Sequence, residues 1–273
     1  MAETAPLRRY RATVAYDGTD WAGFQIQADR DTIQGQLESV LERLLTVPIR
    51  IAGAGRTDAG VHAWGQVITF QAAWRHEIAK LERGMNALLP ASIAVRDLEI
   101  APEAFHARFS ATDRTYVYNL SINAGRQPLQ ERYLYRIGQA LDLWAVRAAT
   151  RMLVGRQDFG AFGQPPSGSN TVREVLAASW YDASQVDARP VWSRPGSDLS
   201  LYLMGTAFLR GMVRRIVGTL LQVGIGVIDP LTFGDIVRSG DISRAAPPAP
   251  ACGLCLWHIG YGPDGRGRRQ GKR

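Results

Sequence analysis

The chain has 273 residues, of which 46% are hydrophobic, and a formal net charge of +7 at pH 7. This apolar content is enough to bury one large core or two of ordinary size, which excludes disorder of the whole chain. No apolar run approaches the roughly 20 residues of a membrane span, and residues 1–11 carry charges without the apolar stretch of a signal peptide. We therefore expect a cytoplasmic protein with no membrane partner.

The positive charge is placed unevenly along the chain. Five of the charges lie in residues 266–273, which leaves +2 for the rest of the chain. The overall charge is therefore only a weak indication of a nucleic-acid partner, because a basic end of this kind is often solvated and disordered. Two local arginine clusters, at 8–11 and 210–215, are more informative, although such clusters are also typical of a hydrated face.

The N-terminal part of the sequence predicts a unit of strands and helices. Apolar residues alternate over 10–16, which predicts a strand, and recur on one helical face over 32–45, where Asp31 or Thr32 would cap the helix. The further predicted elements of this part are strands at 49–52, 66–71 and 93–100 and a helix at about 77–89.

The second part of the sequence repeats this order of elements without a visible sequence repeat. Its predicted strands lie at 114–123, 173–182, 199–206 and 254–259, and its predicted helices at 143–154, 208–223 and 233–237. We therefore predict an N-terminal α+β half at 1–105, a C-terminal α+β half at 106–262 and a basic tail at 263–273.

Cys252 and Cys255 are the two cysteines of the chain and form a Cys-Gly-Leu-Cys motif. This spacing allows a redox pair or half of a zinc site, but zinc needs about four ligands and the four histidines are scattered. We interpret both cysteines as small residues packed at the last predicted strand.

The most informative segment is the glycine-rich run at 53–63, which lies between two predicted strands and holds Asp58 close to Arg56. Glycines let the backbone approach a ligand closely. A dinucleotide-binding motif would need a third glycine at position 58, and a phosphate-binding P-loop would need Lys followed by Ser or Thr. The run therefore predicts a loop that offers a carboxylate to a substrate as nucleophile or base, against the alternative of an ordinary turn with a solvated Asp.

The run Gly55-Arg56-Thr57-Asp58-Ala59-Gly60-Val61-His62-Ala63, followed by Gly65-Gln66-Val67, resembles the active-site motif of the tRNA pseudouridine synthase A family. Further blocks match this family in the same order over about residues 10–261. They are Tyr16-Asp17-Gly18-Thr19, Phe105-His106-Ala107-Arg108-Phe109-Ser110-Ala111, Tyr116-Val117-Tyr118, Met212-Val213-Arg214 and Gly253-Leu254.

The resemblance implies two related α+β halves, each an antiparallel or mixed sheet with helices on one face, joined into one extended sheet with an active-site cleft between them. It also implies an isomerase that converts uridine to pseudouridine at positions 38, 39 and 40 of the tRNA anticodon stem-loop. The family works as a homodimer on tRNA and needs no cofactor and no metal.

The resemblance assigns a role to each of four residues. Asp58 is the catalytic carboxylate, and whether it attacks a carbon or removes a proton stays open. Tyr116 stacks on the target base, Arg214 pairs with the carboxylate, and Arg56 contacts the RNA backbone. From the residues alone, Arg214 could instead reach out to solvent, and Arg56 could equally hold the loop through carbonyl hydrogen bonds. Tyr118 is expected in the core.

Two alternative functions are weighed against this one. A non-catalytic RNA-binding protein could keep the same fold, and the intact set of Asp58, Tyr116 and Arg214 argues against it. A glycoside hydrolase normally needs two carboxylates on either side of the bond, whereas the motif holds Asp58 alone.

Overall fold

The structure is a computed structural model that describes residues 6–122, 125–182 and 199–262. These residues fall into two units, one formed by 6–114 with 256–262 and the other within 115–255. The predicted boundary at 105 and the predicted C-terminal half at 106–262 stay a prediction, and the basic tail predicted at 263–273 lies outside the described residues.

The first unit contains a largely antiparallel sheet and two helices. Its strands are β1 (Leu7–Tyr16), β2 (Ala52–Gly53), β3 (His62–Ala73), β4 (Ile93–Ile100) and most of β10 (Leu254–Tyr261), and its helices are α1 (Ile33–Leu45) and α2 (Ile78–Leu88). The order across the sheet is β4-β1-β3-β10, and β2 pairs with β3. The long pairing of β1 with β3 places Tyr10 opposite Phe70.

Alternation along β1 separates a buried face from an open one. Tyr10, Ala12, Val14 and Tyr16 are buried, whereas the residues between them are partly exposed. The helices complete this core, since Leu37 and Leu41 of α1 and Leu81 and Met85 of α2 are fully buried. The first unit therefore has one packed sheet face and one face that is open in part.

Local signals explain where α1 begins and ends. Thr32 has an extended backbone, and its hydroxyl accepts a hydrogen bond from the N–H of Gly35 at 3.2 Å, as the capping residue of a helix does. Thr46 ends the helix in the left-handed conformation, with φ of 59°, and donates its N–H to Glu42. The sequence prediction of this helix is confirmed, and of its two candidate caps, Asp31 and Thr32, the structure has Thr32.

The second unit contains a mixed sheet and three helices. Its strands are β5 (Ala111–Ile122, from Thr115 onward), β6 (Tyr135–Ile137), β7 (Gly155–Asp158), β8 (Val172–Asp182) and β9 (Leu199–Gly205), and its helices are α3 (Leu143–Arg151), α4 (Met212–Gly224) and α5 (Pro230–Ser239). The order is β5-β9-β8-β7, and β6 pairs with β5 in parallel.

The predicted α+β class is confirmed, and several element boundaries differ from the prediction. The helix predicted at 208–223 begins only at Met212, because Gly211 caps it in the left-handed conformation, with φ of 72°. The strand predicted at 49–52 is reduced to β2. β6 and β7 were not predicted, since they have only 3 and 4 residues and their sequences show no clear alternation.

Both cysteines carry free thiols, with Cys255 buried and Cys252 partly buried. The Sγ of Cys252 lies 3.6 Å from the carbonyl oxygen of Leu134, and burial raises the pKa of this thiol. None of the helices within the described ranges has the length and apolar character needed to cross a membrane. In the same part of the chain, no three His, Cys, Asp or Glu side chains are grouped so that they could hold a metal ion.

Candidate active site

The catalytic-loop candidate, residues 54–61, connects β2 to β3 in the first unit. β2 pairs antiparallel with β3, with Ala52 opposite Thr69, and the N–H of Ala54 continues this pairing by donating to Val67 at 2.8 Å. The loop therefore leaves the sheet with a backbone direction that is already set by β3.

Gln66 of β3 holds the next residue of the loop. Its side-chain Oε1 accepts the N–H of Gly55 at 3.2 Å, and its Nε2 donates to the carbonyl of Gly55 at 2.7 Å. Gln66 is fully buried. A buried amide that satisfies both polar groups of one backbone residue acts like a neighbouring strand and fixes Gly55 in place.

Thr57, directly before Asp58, is held from two sides. Its hydroxyl lies 2.8 Å from the hydroxyl of Tyr16, and its carbonyl accepts the N–H of Phe24 at 3.1 Å. Gly23 is required for this approach, because a Cβ at that position would lie 2.7 Å from the Thr57 carbonyl oxygen and its φ is +100°. The segment 16–24 thus holds Thr57, the residue directly before Asp58, in place.

Asp58 is half-buried and opens a tight turn. The N–H of Val61 donates to the Asp58 carbonyl at 3.1 Å, and Gly60, at the third position of the turn, has φ of +76°. A left-handed residue at this position favours glycine, as in a type II turn. The carboxylate therefore stands on a backbone fixed before it by Thr57 and after it by the turn, which is the preorganisation that a catalytic group needs.

The residues that follow the turn are tied to the end of β1. The Nδ1 atom of buried His62 lies 3.1 Å from the N–H of Gly18 and 3.2 Å from Oδ1 of Asp17. Asp17 in turn accepts the N–H and the hydroxyl of Thr19. Asp17 is thus a turn residue, and His62 supports the loop.

Arg56 lies on the same loop and is exposed. Among residues 6–122, 125–182 and 199–262, no hydrogen bond ties its guanidinium group to a loop carbonyl. The alternative in which Arg56 holds the loop therefore has no support in these residues. An exposed guanidinium group next to a held carboxylate is available for an anionic ligand.

In the second unit, Tyr116 and Tyr118 lie on one side of β5 but differ in accessibility. Tyr118 is 0% exposed, its hydroxyl donates to the Pro250 carbonyl at 2.8 Å, and burial raises its pKa well above the ordinary value. Tyr116 keeps 8% of its surface exposed and meets the edge of Phe208 at a ring distance of 5.2 Å. Tyr118 is thus a core residue, as expected, and Tyr116 is the more accessible ring of the two.

Arg214 lies in the first turn of α4 and is half-buried. Its Nε donates to the Ala249 carbonyl at 2.8 Å, and its own carbonyl accepts the N–H of Ala249 at 2.9 Å. Gly218 allows the loop at 247–249 to lie against α4, because a Cβ there would lie 2.1 Å from the Pro247 carbonyl oxygen. The guanidinium group is thus held by backbone instead of extending freely into solvent.

The position of Arg214 also concentrates positive charge. The first turn of α4 carries no acidic residue, although a helix N-terminus favours negative charge and disfavours a cation. An arginine kept there adds its charge to that of the helix dipole. Such an arrangement stabilises an anion, for example a carboxylate or a phosphate.

The four residues predicted from the sequence therefore divide between the units. Asp58 and Arg56 share the loop of the first unit, and Tyr116 and Arg214 belong to β5 and α4 of the second. The sequence analysis did not identify the positioning role of Gln66 or of Tyr16. The sequence signal for Gln66 was a polar residue next to the apolar run at 67–70. The hydroxyl contact of Tyr16 has no local sequence signal.

Known proteins of similar sequence share one name. A family model described as tRNA pseudouridine synthase matches residues 12–110 and 149–262. The chain is 38% identical over 258 residues to a tRNA pseudouridine synthase A of Syntrophotalea carbinolica, covering 93% of this chain and 96% of that protein. It is 41% identical over 258 residues to the protein of the same name from Chloroflexus aurantiacus, covering 94% and 90% of the two chains. A third tRNA pseudouridine synthase A, from Brevibacillus brevis, is 37% identical over 255 residues, covering 93% and 100%. The chain therefore belongs to the tRNA pseudouridine synthase family and is an isomerase that modifies tRNA.

Proposed function

We propose that this chain isomerises uridine to pseudouridine at positions 38, 39 and 40 of the tRNA anticodon stem-loop, with Asp58 as the catalytic carboxylate. One observation carries the assignment of Asp58. It is the half-buried carboxylate at the head of the Gly60 turn, held on both sides by the contacts of Thr57 and Val61.

The reaction replaces one bond by another without a change of redox state. The bond between C1′ of the ribose and N1 of uracil breaks, the detached base turns, and C5 bonds to C1′. The proton on C5 leaves to a base or to water, and N1 gains a proton. A single ionised carboxylate next to the sugar suits this chemistry, either by attacking C1′ or by removing the 2′ proton.

Tyr116 and Arg56 are proposed to hold the target nucleotide. A base can be modified in this way only when it has left the helix stack, and an aromatic ring is a suitable surface for the extruded base. Tyr116 is the more exposed ring of the Tyr-Val-Tyr element, at 8%. Arg56, exposed on the loop of Asp58, is proposed to bind the phosphate of the displaced nucleotide through its planar fork of donors.

Arg214 is proposed to balance the charge of the catalytic carboxylate. Its hydrogen bond to Ala249 fixes the guanidinium group, and the N-terminus of α4 adds positive potential. A partly buried carboxylate without a cation would take up a proton more readily and lose its function as nucleophile or base.

We further propose that the enzyme acts as a homodimer with one tRNA lying across both subunits, in the cytoplasm and without a cofactor. The dimer, the shared tRNA and the lack of a cofactor rest on the resemblance of the sequence motifs, and the location rests on the expectation drawn from composition. The dimer is tested by sedimentation of the protein alone and with one equivalent of tRNA.

The experiment that tests the proposed function measures release of tritium from tRNA transcripts labelled at C5 of uridine, with no added metal or nucleotide. Wild type, Asp58→Asn and the matched control Asp97→Asn are compared, since Asp97 is an exposed carboxylate of the same unit. We expect release by wild type and by the control but not by Asp58→Asn. Release by all three proteins would mean that another carboxylate is catalytic. Binding of tRNA without release by wild type would favour the non-catalytic RNA-binding alternative.

A further inference from the structure

The segment 105–110, which connects β4 to β5, is held against the rest of the first unit by Phe105 and Ala107. Phe105 packs on Tyr261 at a ring distance of 5.0 Å, with the guanidinium group of Arg11 over its ring at 5.4 Å. Ala107 donates to the hydroxyl of Thr69 at 3.4 Å and accepts from the hydroxyl of Tyr261 at 2.8 Å. The backbone of this segment is thus rigidly placed.

The residues between these anchors are displayed on the surface. Phe109 is 71% exposed, and the His106 ring lies against it at 4.4 Å, with the guanidinium group of Arg108 at 5.6 Å from its ring centre. Burial of a phenylalanine side chain contributes about 1.5–3 kcal/mol to folding, so a chain gives up that stabilisation where it exposes one. An exposed ring placed between an arginine and an imidazole offers a flat face on which a base can stack.

His106 contributes an aromatic ring rather than a charge. Its Nδ1 accepts the N–H of Arg108 at 3.1 Å and that of Phe109 at 3.4 Å, so this nitrogen carries a lone pair. Burial lowers the pKa of His106, and the nearby charges of Arg9 and Arg108 lower it further. The ring is neutral at pH 7, and the positive charge of the surface comes from the arginines.

The charge on this surface has little internal compensation. Arg11 is paired with Glu99, whereas no ion pair involves Arg9 or Arg108 within the described ranges of the chain. The Nε of Arg9 is buried and has no hydrogen-bond acceptor among those residues. The guanidinium group of Arg108 beside the exposed ring of Phe109, together with the charge of Arg9 near His106, matches the phosphates and the base of a nucleotide.

Arg114 links this surface to the first residue of the loop at 54–61. The NH2 atom of Arg114 donates to the carbonyl of Arg108 at 2.7 Å and to that of Ala54 at 3.3 Å. Ala54 lies four residues before Asp58. The surface and the catalytic loop are therefore joined within one unit, and one RNA molecule can contact both.

We propose that Arg9, His106, Arg108 and Phe109 form a second RNA contact, in which Phe109 stacks on an unpaired base and the two arginines bind the neighbouring phosphates. This proposal rests on the proposed function, since it assigns a further contact to the same RNA substrate. It makes Phe109 a binding residue outside the catalytic motif.

The test measures the Kd of a tRNA transcript at several salt concentrations and the rate of tritium release at saturating tRNA. The variants are Phe109→Ala, Phe109→Trp and Arg108→Ala. The matched controls are Trp144→Ala, an aromatic residue of the second unit that is 78% exposed, and Arg43→Ala, an exposed arginine of α1. Because Phe109 and Arg108 are exposed, we expect all variants to fold, and circular dichroism checks this.

We expect Phe109→Ala to raise Kd by about 5- to 150-fold, since base stacking on an aromatic ring contributes about 1–3 kcal/mol, with the saturating rate within about twofold of wild type. Phe109→Trp should restore binding, and Arg108→Ala should reduce the slope of log Kd against log salt by about 0.7–0.9. Both controls should bind like wild type.

An unchanged Kd for Phe109→Ala would overturn the proposal. A change of this variant from dimer to monomer at unchanged Kd would also overturn it, since the surface would then join two copies of the chain. If tRNA binding depends on Phe109 but wild type releases no tritium, the RNA contact stands and the proposed function fails. If wild type releases tritium and Phe109→Ala binds normally, the proposed function stands and this contact fails.

Discussion

The side-chain amide of Gln66 forms two hydrogen bonds with the backbone of Gly55, accepting its N–H at 3.2 Å and donating to its carbonyl at 2.7 Å. Gly55 lies three residues before Asp58. One buried side chain of β3 thus sets the starting direction of the loop that carries the proposed catalytic group. It also explains why a polar residue is fully buried at position 66, because an amide offers a donor and an acceptor to the backbone.

We expect Gln66→Leu to lower the free energy of unfolding by about 1–3 kcal/mol, because Gly55 loses both partners in a buried environment. The value of kcat should fall by at least about tenfold, since small displacements of a catalytic group are costly. Thermal unfolding and tritium release measure the two effects. The control is Gln71→Leu, at an exposed position of the same strand, which should change neither. Lower stability with kcat unchanged would show that Gln66 supports the fold and not the position of the loop.

Gly60 has φ of +76° in the turn that follows Asp58, and Gly226 has the same φ in a loop of the second unit. We expect each alanine substitution to cost about 1–2 kcal/mol, because a left-handed backbone is strained for residues with a Cβ atom. Gly60→Ala should in addition lower kcat by at least about tenfold, since relief of the strain would displace the carboxylate. Gly226→Ala is the matched control for backbone strain and should retain wild-type kcat. Equal activities of the two variants would contradict a catalytic role of the turn.

Arg214 and Arg215 are adjacent arginines of α4 that both donate to carbonyls of the loop at 246–249. Arg214→Lys keeps the positive charge but loses the planar fork and the hydrogen bond from Nε to Ala249. We expect it to lower kcat by about tenfold to a hundredfold with little change in KM, which corresponds to about 1.4–2.8 kcal/mol of transition-state stabilisation. Arg215→Lys should stay within about twofold of wild type. A larger loss of activity in Arg215→Lys than in Arg214→Lys would reject the proposed role of Arg214.

The buried phenol of Tyr118 makes the free energy of unfolding depend on pH in the alkaline range. Burial raises the pKa of its phenol above the ordinary value of about 10, and the nearby Cys252 and Tyr135 raise it further. The folded state thus keeps this proton at a pH where the unfolded state releases it, so stability is complete below about pH 10 and is lost as the pH rises further. Denaturant unfolding between about pH 8 and pH 11 measures this loss. Tyr118→Phe should reduce the steepness of the loss, and an unchanged steepness would contradict the prediction.

Most of the fold was predictable because its elements carry strong local signals. The helix at Ile33–Leu45 has an apolar face and a Thr32 cap, and the strand at Ile93–Ile100 was predicted with its observed bounds. The start of α4 was wrong by four residues, because apolar residues before Met212 continue the helical pattern while Gly211 interrupts the backbone. β6 and β7 could not be predicted, since such short strands are stabilised by their pairing partners.

The candidate site was predictable to a different extent. The resemblance of the glycine-rich run and of the other motifs to the family selected Asp58, Arg56, Tyr116 and Arg214. Their roles and the cleft between the halves stay predictions. The basic and aromatic residues of segment 105–110 were recognised only as a family motif. Which residues of this segment are buried and which are exposed follows from contacts with Thr69 and Tyr261, which are distant in sequence.

The sequence by itself determined the fold class, the family and the identity of the catalytic candidate, because periodicity, capping and motif spacing are properties of neighbouring residues. The tertiary structure decided how the loop of Asp58 is held, through Gln66, Tyr16 and Phe24. It also decided which of Tyr116 and Tyr118 keeps an accessible surface. These properties depend on which distant segments the folded chain brings into contact, and burial and hydrogen bonding between such segments have no local sequence pattern.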